Sequence, residues 1–242
     1  MAVCVNCSFI CSCSKDDTEE QNPLENSGGN SGDLTGVADG HEWVNLGLPS
    51  GTKWATCNVG ASAPEEYGNY FAWGETDGYD SSKKDFSWTT YKYSNGSSNL
   101  LTKYCPTGSS GFNGYTDSNT ELQAGDDAAS ENWGGGWQTP SLAQAQELLN
   151  GDYTIVTLAA QNGVTGRLVT SKSNGKSIFL PAAGSYHGAS LEEVGSCGHY
   201  WLRTLYTGYP GSACSLYFGA YAATTNNYYY RYIGRSVRPV RK

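Results

Sequence analysis

Apolar residues are nearly absent from Thr18 to about Gly40 of this chain and recur afterwards in short runs bounded by turn residues. Thr18 to Gly40 is Glu, Asn, Ser and Gly with too little apolar surface to drive folding, which predicts a flexible tether over 13–40. From His41 the runs have strand length. Glu42 to Leu46 and Lys53 to Cys57 flank a Pro49-Ser50-Gly51 turn, and Tyr70 to Gly74 reads as a short buried run. Thr76 to Tyr115 is polar and glycine-rich, which predicts loop with isolated strands. A helical pattern occurs twice. One helix opens at Gly125 to Ala129 on an aspartate cap, and the second follows a Ser141/Gln144 capping box and closes at Asn150-Gly151. Strands then return at Tyr153 to Leu158, Gly166 to Thr170 and Ser177 to Pro181, with a hairpin turn at Asn174-Gly175 and a terminal strand in Gly234 to Lys242. The class is α+β, with short antiparallel strands, two short helices and long loops in one domain, 41–242.

The stretch His199 to Ile233 breaks this pattern, because its composition is that of a display surface. Nine of the chain's eighteen tyrosines lie in it, among Ser, Gly and Asn. Tyrosine supplies a large amphipathic contact area at low rotamer cost, and its small polar neighbours supply adaptable hydrogen bonds. Val194 to Arg241 also holds no Lys, Glu, Gln or Met. Asn, Tyr, Ser, Cys, Ala, Gly, Thr, Ile, Leu, Arg and His, which do occur, can be reached from an AAC codon by changing its adenines alone, whereas the four missing types need a purine in third place. The tail reads as a sequence in which adenines have been randomised; a Tyr-rich strand region without long polar side chains is the competing reading.

Charge is distributed unevenly. The net charge is -8, yet no acidic residue follows Glu193 and six basic ones do. No contiguous Lys/Arg stripe exists to neutralise a phosphate backbone, which argues against nucleic-acid binding. At the N-terminus, Ile10-Cys11-Ser12-Cys13 resembles a bacterial lipobox that would make 1–12 a signal peptide and Cys13 the lipidated residue. Ser14-Lys15-Asp16-Asp17 resembles the acidic signal that sends such lipoproteins to the outer face of the outer membrane. The competing reading is a metal-binding N-terminus using Cys4, Cys7, Cys11 and Cys13.

Other chemistry is thinly marked. Asp126, Asp127, Glu131 and Asn132 could bind calcium, although Asp127 as a helix cap is the simpler reading. Trp133 to Trp137 encloses a glycine run without the Lys-Ser/Thr pair of a phosphate loop. Cys57, Cys105, Cys197 and Cys214 could form two bridges, with Cys57 to Cys105 preferred, or leave Cys197 and Cys214 as free thiols. Cys197 and His199 share a strand face, but no third group is marked to orient them. His41 and His187 read as solitary surface or loop histidines.

Three blocks carry a family resemblance: residues 43–61 (WVNLGLPSGTKWATCNVGA), 126–149 (DDAASENWGGGWQTPSLAQAQELL) and 177–241, from SIFLPAAG to GRSVRPVR. They resemble the C-type-lectin-fold domain of bacterial surface proteins related to the Fibrobacter-type major paralogous domain and, more distantly, to formylglycine-generating enzymes. With the adenine-like pattern of the tail, the chain resembles the variable proteins of diversity-generating retroelements. The resemblance implies a variable region at about 199–233 displayed on a rigid frame. Trp201, Phe218, Gly234, Val237, Arg238 and Pro239 would be framework, with Arg231 a possible member. Leu202, Arg203, Tyr206, Tyr209, Ser212, Cys214, Ser215, Tyr217, Tyr221, Asn226, Asn227, Tyr228, Tyr229, Tyr230 and Tyr232 would be ligand-binding slots. The calcium and sugar motifs of animal lectins are missing, and the oxidase relative would need Cys197 and Cys214 as its catalytic pair.

These observations together predict an outer-membrane lipoprotein that displays a diversified binding surface. Its partner would be a protein or glycan on another cell, a phage or a host. No cofactor or metal is called for, and the expectation is that the chain is not an enzyme. The alternatives are an undiversified adhesin or structural domain of the same fold, and a formylglycine-generating-like oxidase.

Overall fold

The computed structural model describes residues 32–79 and 85–242. Cys13, the leader and most of the expected tether lie outside the described residues. In chain order the elements are β1 (Thr35–Ala38), β2 (His41–Asn45), β3 (Lys53–Ala55), α1 (Ala128–Trp133), α2 (Leu142–Leu148), β4 (Thr154–Gln161), β5 (Val164–Ser171), β6 (Ser177–Pro181), β7 (Ser185–His187), β8 (Ser190–Glu192), β9 (Gly198–Leu205), β10 (Ser212–Phe218), β11 (Ala223–Tyr230) and β12 (Val240–Arg241). This is an α+β architecture of short antiparallel strands, two short helices and long loops.

β1 corrects the expected boundary, since it falls inside the segment read as tether. It pairs with β2 from Thr35↔Val44 to Ala38↔His41 across Asp39-Gly40, both at positive φ. An Asp-Gly pair in that conformation is the turn that matches strand twist, so the hairpin was encoded there. Four strands in the order β1-β2-β3-β12 join the start and the end of the domain. β4-β5-β6 is a continuous meander, β7-β8 a small hairpin, and β11-β10-β9 the sheet that carries the Tyr-rich stretch.

Both helices begin as their caps require. Asp127 accepts hydrogen bonds from the Ala129 and Ser130 amides at 2.9 and 3.4 Å, and its carboxylate also takes the Thr139 amide and hydroxyl. Asp126 is bonded to Tyr93, Lys103 and Tyr104. With both carboxylates occupied by protein donors, the cap reading replaces the calcium one. In α2 the box is reciprocal: Ser141 Oγ takes the Gln144 amide at 3.2 Å, and Gln144 Oε1 takes the Ser141 amide at 2.8 Å. The helix ends at Leu148, just ahead of the Asn150-Gly151 stop.

The core forms on the two faces of β9 and β10. Alternation along β9 sends Trp201 and Leu205 into an aromatic cluster with Phe71, Trp73, Tyr91 and Val237. It sends Tyr200 and Leu202 into an aliphatic cluster with Leu46, Leu148, Leu180 and Val240. β10 divides in the same way, Ala213 toward the first cluster and Cys214, Leu216 and Phe218 toward the second. Both strands are therefore buried on both faces.

Arg238 ties the C-terminal segment to this body. Its guanidinium donates to Asn58 Oδ1 at 2.8 Å, to the Ala55 carbonyl at 3.1 Å and to the Phe179 carbonyl at 3.0 Å, and also to the Thr56 carbonyl. Gly234 packs where a Cβ would lie 2.6 Å from the Phe86 ring, so no other residue fits without displacing that ring. The four described cysteines are free thiols, which corrects the expected Cys57 to Cys105 bridge.

Candidate functional site: a tyrosine groove and a Glu-Cys-His cluster

The segment that turns from β9 into β10, residues 206–212, and the edge strand β11 enclose an open groove of about 550 Å³. Tyr206, Gly208, Tyr209, Ser212, Tyr228, Tyr229 and Tyr230 line it. The turn is fixed by its own backbone, with the Tyr209 amide bonded to the Tyr206 carbonyl at 3.2 Å and the Ser212 amide to the Tyr209 carbonyl at 2.9 Å. One wall is a parallel stack of Tyr206 on Tyr228. The other is Tyr209 against Tyr230 at 6.2 Å between centroids, with the Tyr209 hydroxyl bonded to Ser98 Oγ at 2.9 Å. Trp88 lies behind this wall, 5.9 Å from Tyr230 and 5.0 Å from Tyr232.

Among the described residues no charged side chain lines the groove, but a buried cation sits under it. The Arg235 guanidinium lies 4.4 Å from the Tyr229 ring and 4.8 Å from the Trp201 ring, and donates to Ser215 Oγ at 2.6 Å. Burial pushes its pKa down to about 9, so it still carries charge at neutral pH. The guanidinium holds Tyr229 by its ring face while the opposite side of the ring stays exposed.

The expected binding slots do not share one environment. Tyr206, Tyr209, Ser212, Tyr228, Tyr229 and Tyr230 converge on the groove. Asn226 and Tyr221 are exposed, Asn227 is half-buried, and Tyr232 is half-buried behind the wall. Leu202, Cys214 and Ser215 are corrected: they are buried, the first two in the aliphatic core and Ser215 against Arg235, because β9 and β10 have no free face. Arg203 is turned to the far edge, paired with Glu121 at 3.0 Å and bonded to Gln138. Trp88 and Ser98 support the groove from the polar insert, with no local signal to mark them.

Tyr217 belongs to a different constellation. After β8 the chain makes a tight turn in which the Cys197 amide bonds back to the Glu193 carbonyl at 2.9 Å, with Glu193 at φ 58. That turn carries the Glu193 carboxylate over the start of β9. Its Oε2 lies 2.7 Å from His199 Nε2. Ligand atoms of Glu193, Cys197 and His199 all lie within 4.8 Å of one another. The Tyr217 hydroxyl lies 3.6 Å from Cys197 Sγ, and its ring is 5.1 Å from the His199 ring.

His199 is held neutral. Burial lowers its pKa most, the Arg235 charge adds to that, and the Glu193 hydrogen bond and charge offset part, leaving it at about 4. The neutral ring therefore donates Nε2–H to Glu193 and keeps a bare lone pair on Nδ1, which is buried with no hydrogen-bond partner among the described residues.

This cluster corrects the expectation that the chain is not an enzyme. The missing third group is Glu193, and a thiol, an imidazole and a carboxylate in ligand-like geometry are the components of a catalytic or metal site. It also corrects which thiols could act together. Cys214 faces the aliphatic core from β10, with its thiol toward the Leu205 carbonyl at 3.9 Å, whereas Cys197 lies by Tyr217, which projects from the opposite face. The two are not a pair. Searches of protein-family models, curated proteins and solved structures found no match to this chain.

Proposed function

We propose that this chain is a ligand-binding protein whose recognition surface is the tyrosine-walled groove between residues 206–212 and β11, on a C-type-lectin-like frame. The observation that carries the reading is convergence: five of the expected tyrosine slots, far apart in sequence, line one concavity. Aromatic walls and a small floor of Gly208 and Ser212 suit a protein or glycan epitope, where stacked phenols give contact area and hydroxyls give direction. The buried arginines and core glycines beneath fix the backbone while groove residues can change, the division of labour a retroelement-diversified surface needs. Surface display through a lipid at Cys13 completes the proposal.

Two measurements test it. Flanking DNA should hold a near-copy of the codons for residues 199–241 with mismatches confined to adenines, beside a reverse transcriptase gene; its absence removes the diversification claim. A screen against glycan and bacterial-surface arrays should give hits that Tyr228→Ser abolishes. Hits indifferent to that substitution would sink the groove.

A second reading, an enzyme acting through Cys197, is favoured by the Glu193–Cys197–His199 cluster. An assay for oxidation of a cysteine-containing peptide, run on the wild type and Cys197→Ser, tests it: turnover lost in the variant supports an oxidase, and equal turnover in both removes it.

A further inference from the structure

The groove leaves the Glu193, Cys197 and His199 side chains unused, and their arrangement has a chemistry of its own. Thiolate, imidazole and carboxylate are a donor set for zinc or cobalt rather than for calcium or magnesium, which take all-oxygen sites. We propose that Glu193, Cys197 and His199 form a three-ligand site for a divalent transition metal of the zinc type, with the fourth coordination position open on the solvent side.

The geometry supports the assignment at each ligand. Metal-bound sulfur, nitrogen and oxygen lie roughly 3 to 4 Å apart around a tetrahedral ion. The present spread, within 4.8 Å, is close to that, and Glu193, half exposed at its side chain, has room to adjust. Cys197 and His199 are placed by the backbone: Cys197 lies immediately ahead of β9 and His199 is its second residue, and their ligand atoms lie within 4.8 Å of each other. His199 is buried and turns Nε2 toward the Glu193 carboxylate at 2.7 Å, so Nε2 is the atom that would ligate, with the ring proton then carried on Nδ1. The thiol must release its proton to ligate.

Charge is compatible. The groups facing the cluster are Arg235, His187 and Tyr217. Arg235 opposes a cation, but its charge is spread against the Trp201 and Tyr229 rings and Ser215. A thiolate and a carboxylate in direct contact with the ion outweigh it. The Tyr217 hydroxyl, 3.6 Å from Sγ, is positioned to donate a hydrogen bond to the thiolate, the outer-shell support that metal sulfur ligands commonly have. Three protein ligands with an open position are the pattern of zinc sites that bind a water or an exogenous ligand, not of closed structural ones.

The site stands independently of the groove and of any turnover, so its test is metal binding itself. Full-length reduced protein is titrated with Co(II), with Zn(II) competition, and compared with Cys197→Ser, His199→Gln and Glu193→Gln. The variants separate this site from any bound by Cys4, Cys7, Cys11 and Cys13, which all of them retain. The expected result is one more Co(II) bound by the wild type than by Cys197→Ser, with sulfur-to-cobalt charge-transfer absorbance that the variant lacks. Loss of an outer-shell group alone costs 10 to 100-fold in affinity, so loss of a ligand should weaken binding by more than about 100-fold. Glu193→Gln removes an exposed group and keeps the fold, so it remains informative where His199→Gln is destabilised. Identical stoichiometry and spectra in the wild type, Cys197→Ser and Glu193→Gln would overturn the proposal.

Discussion

The phenol rings of Tyr206 and Tyr228 stack 3.7 Å apart between centroids with 5° between their planes, joining the turn after β9 to the edge strand β11. An aromatic pair of this kind contributes about 0.5–1.5 kcal/mol beyond area burial. Tyr228→Ala is expected to lower stability by about 1 kcal/mol in urea unfolding, since Tyr228 is largely exposed. Affinity for a groove ligand should fall far more, by about 2 kcal/mol or above, as for a central aromatic anchor. A variant that loses stability and binding in the same small proportion would show that the stack is structural only.

Two buried arginines should respond unequally to an apolar replacement. Arg238→Met leaves the Ala55, Thr56 and Phe179 carbonyls and Asn58 without their donor, and unpaired buried acceptors cost about 1–3 kcal/mol each. A loss of at least about 4 kcal/mol is expected. Arg235→Met removes one bond to Ser215, the ring contacts to Trp201 and Tyr229 and a desolvated charge whose Nε and Nη2 have no partner among the described residues, so the loss should be smaller, within about 2 kcal/mol. Chemical denaturation of the two variants side by side checks the contrast.

His199 sets a pH dependence. Its folded pKa, about 4, is below the ordinary value of 6.5, so between those values the unfolded chain binds more protons than the folded one. Stability therefore rises with pH through this window and is lost as pH falls from 6.5 toward 4. The full effect is on the order of 3 kcal/mol. Urea midpoints measured from pH 7 to pH 4 should fall for the wild type and stay flatter for His199→Gln, which lacks the imidazole. Equal slopes in both proteins would remove His199 as the cause.

Asp127 joins the start of α1 to Thr139, twelve residues on. Asp127→Ala loses a helix cap, about 1 kcal/mol, and leaves the Thr139 amide and hydroxyl buried without an acceptor. A total near 3 kcal/mol is expected, read as a lowered midpoint in thermal or urea unfolding. A loss of only about 1 kcal/mol would mean that Thr139 finds another partner.

Local chemistry made much of the frame legible. The Ser141/Gln144 box, the Asp127 cap, the Asn174-Gly175 hairpin and the Ser177–Pro181 strand are written in a few adjacent residues, and each forms where its residues require. β1 was missed although Asp39-Gly40 announces a hairpin, because low apolar content outweighed the turn signal over that segment. The tyrosine richness of 199–233 marked a region, and the region does contain the groove.

The sequence by itself determined the α+β class, both helix starts, six of the twelve strands among the described residues and the concentration of phenols near the end of the chain. Those follow from hydrogen bonds and side-chain periodicity within a few residues. Tertiary structure decided which phenols face outward: β9 and β10 became strands buried on both faces, taking Leu202, Cys214 and Ser215 inside, while β11 at the sheet edge kept Tyr228, Tyr229 and Tyr230 outside. It also brought Glu193 to Cys197 and His199 through a turn held at positive φ. Burial on two faces and the meeting of a turn with a strand depend on what packs against them from distant parts of the chain, and no short window of residues carries that information.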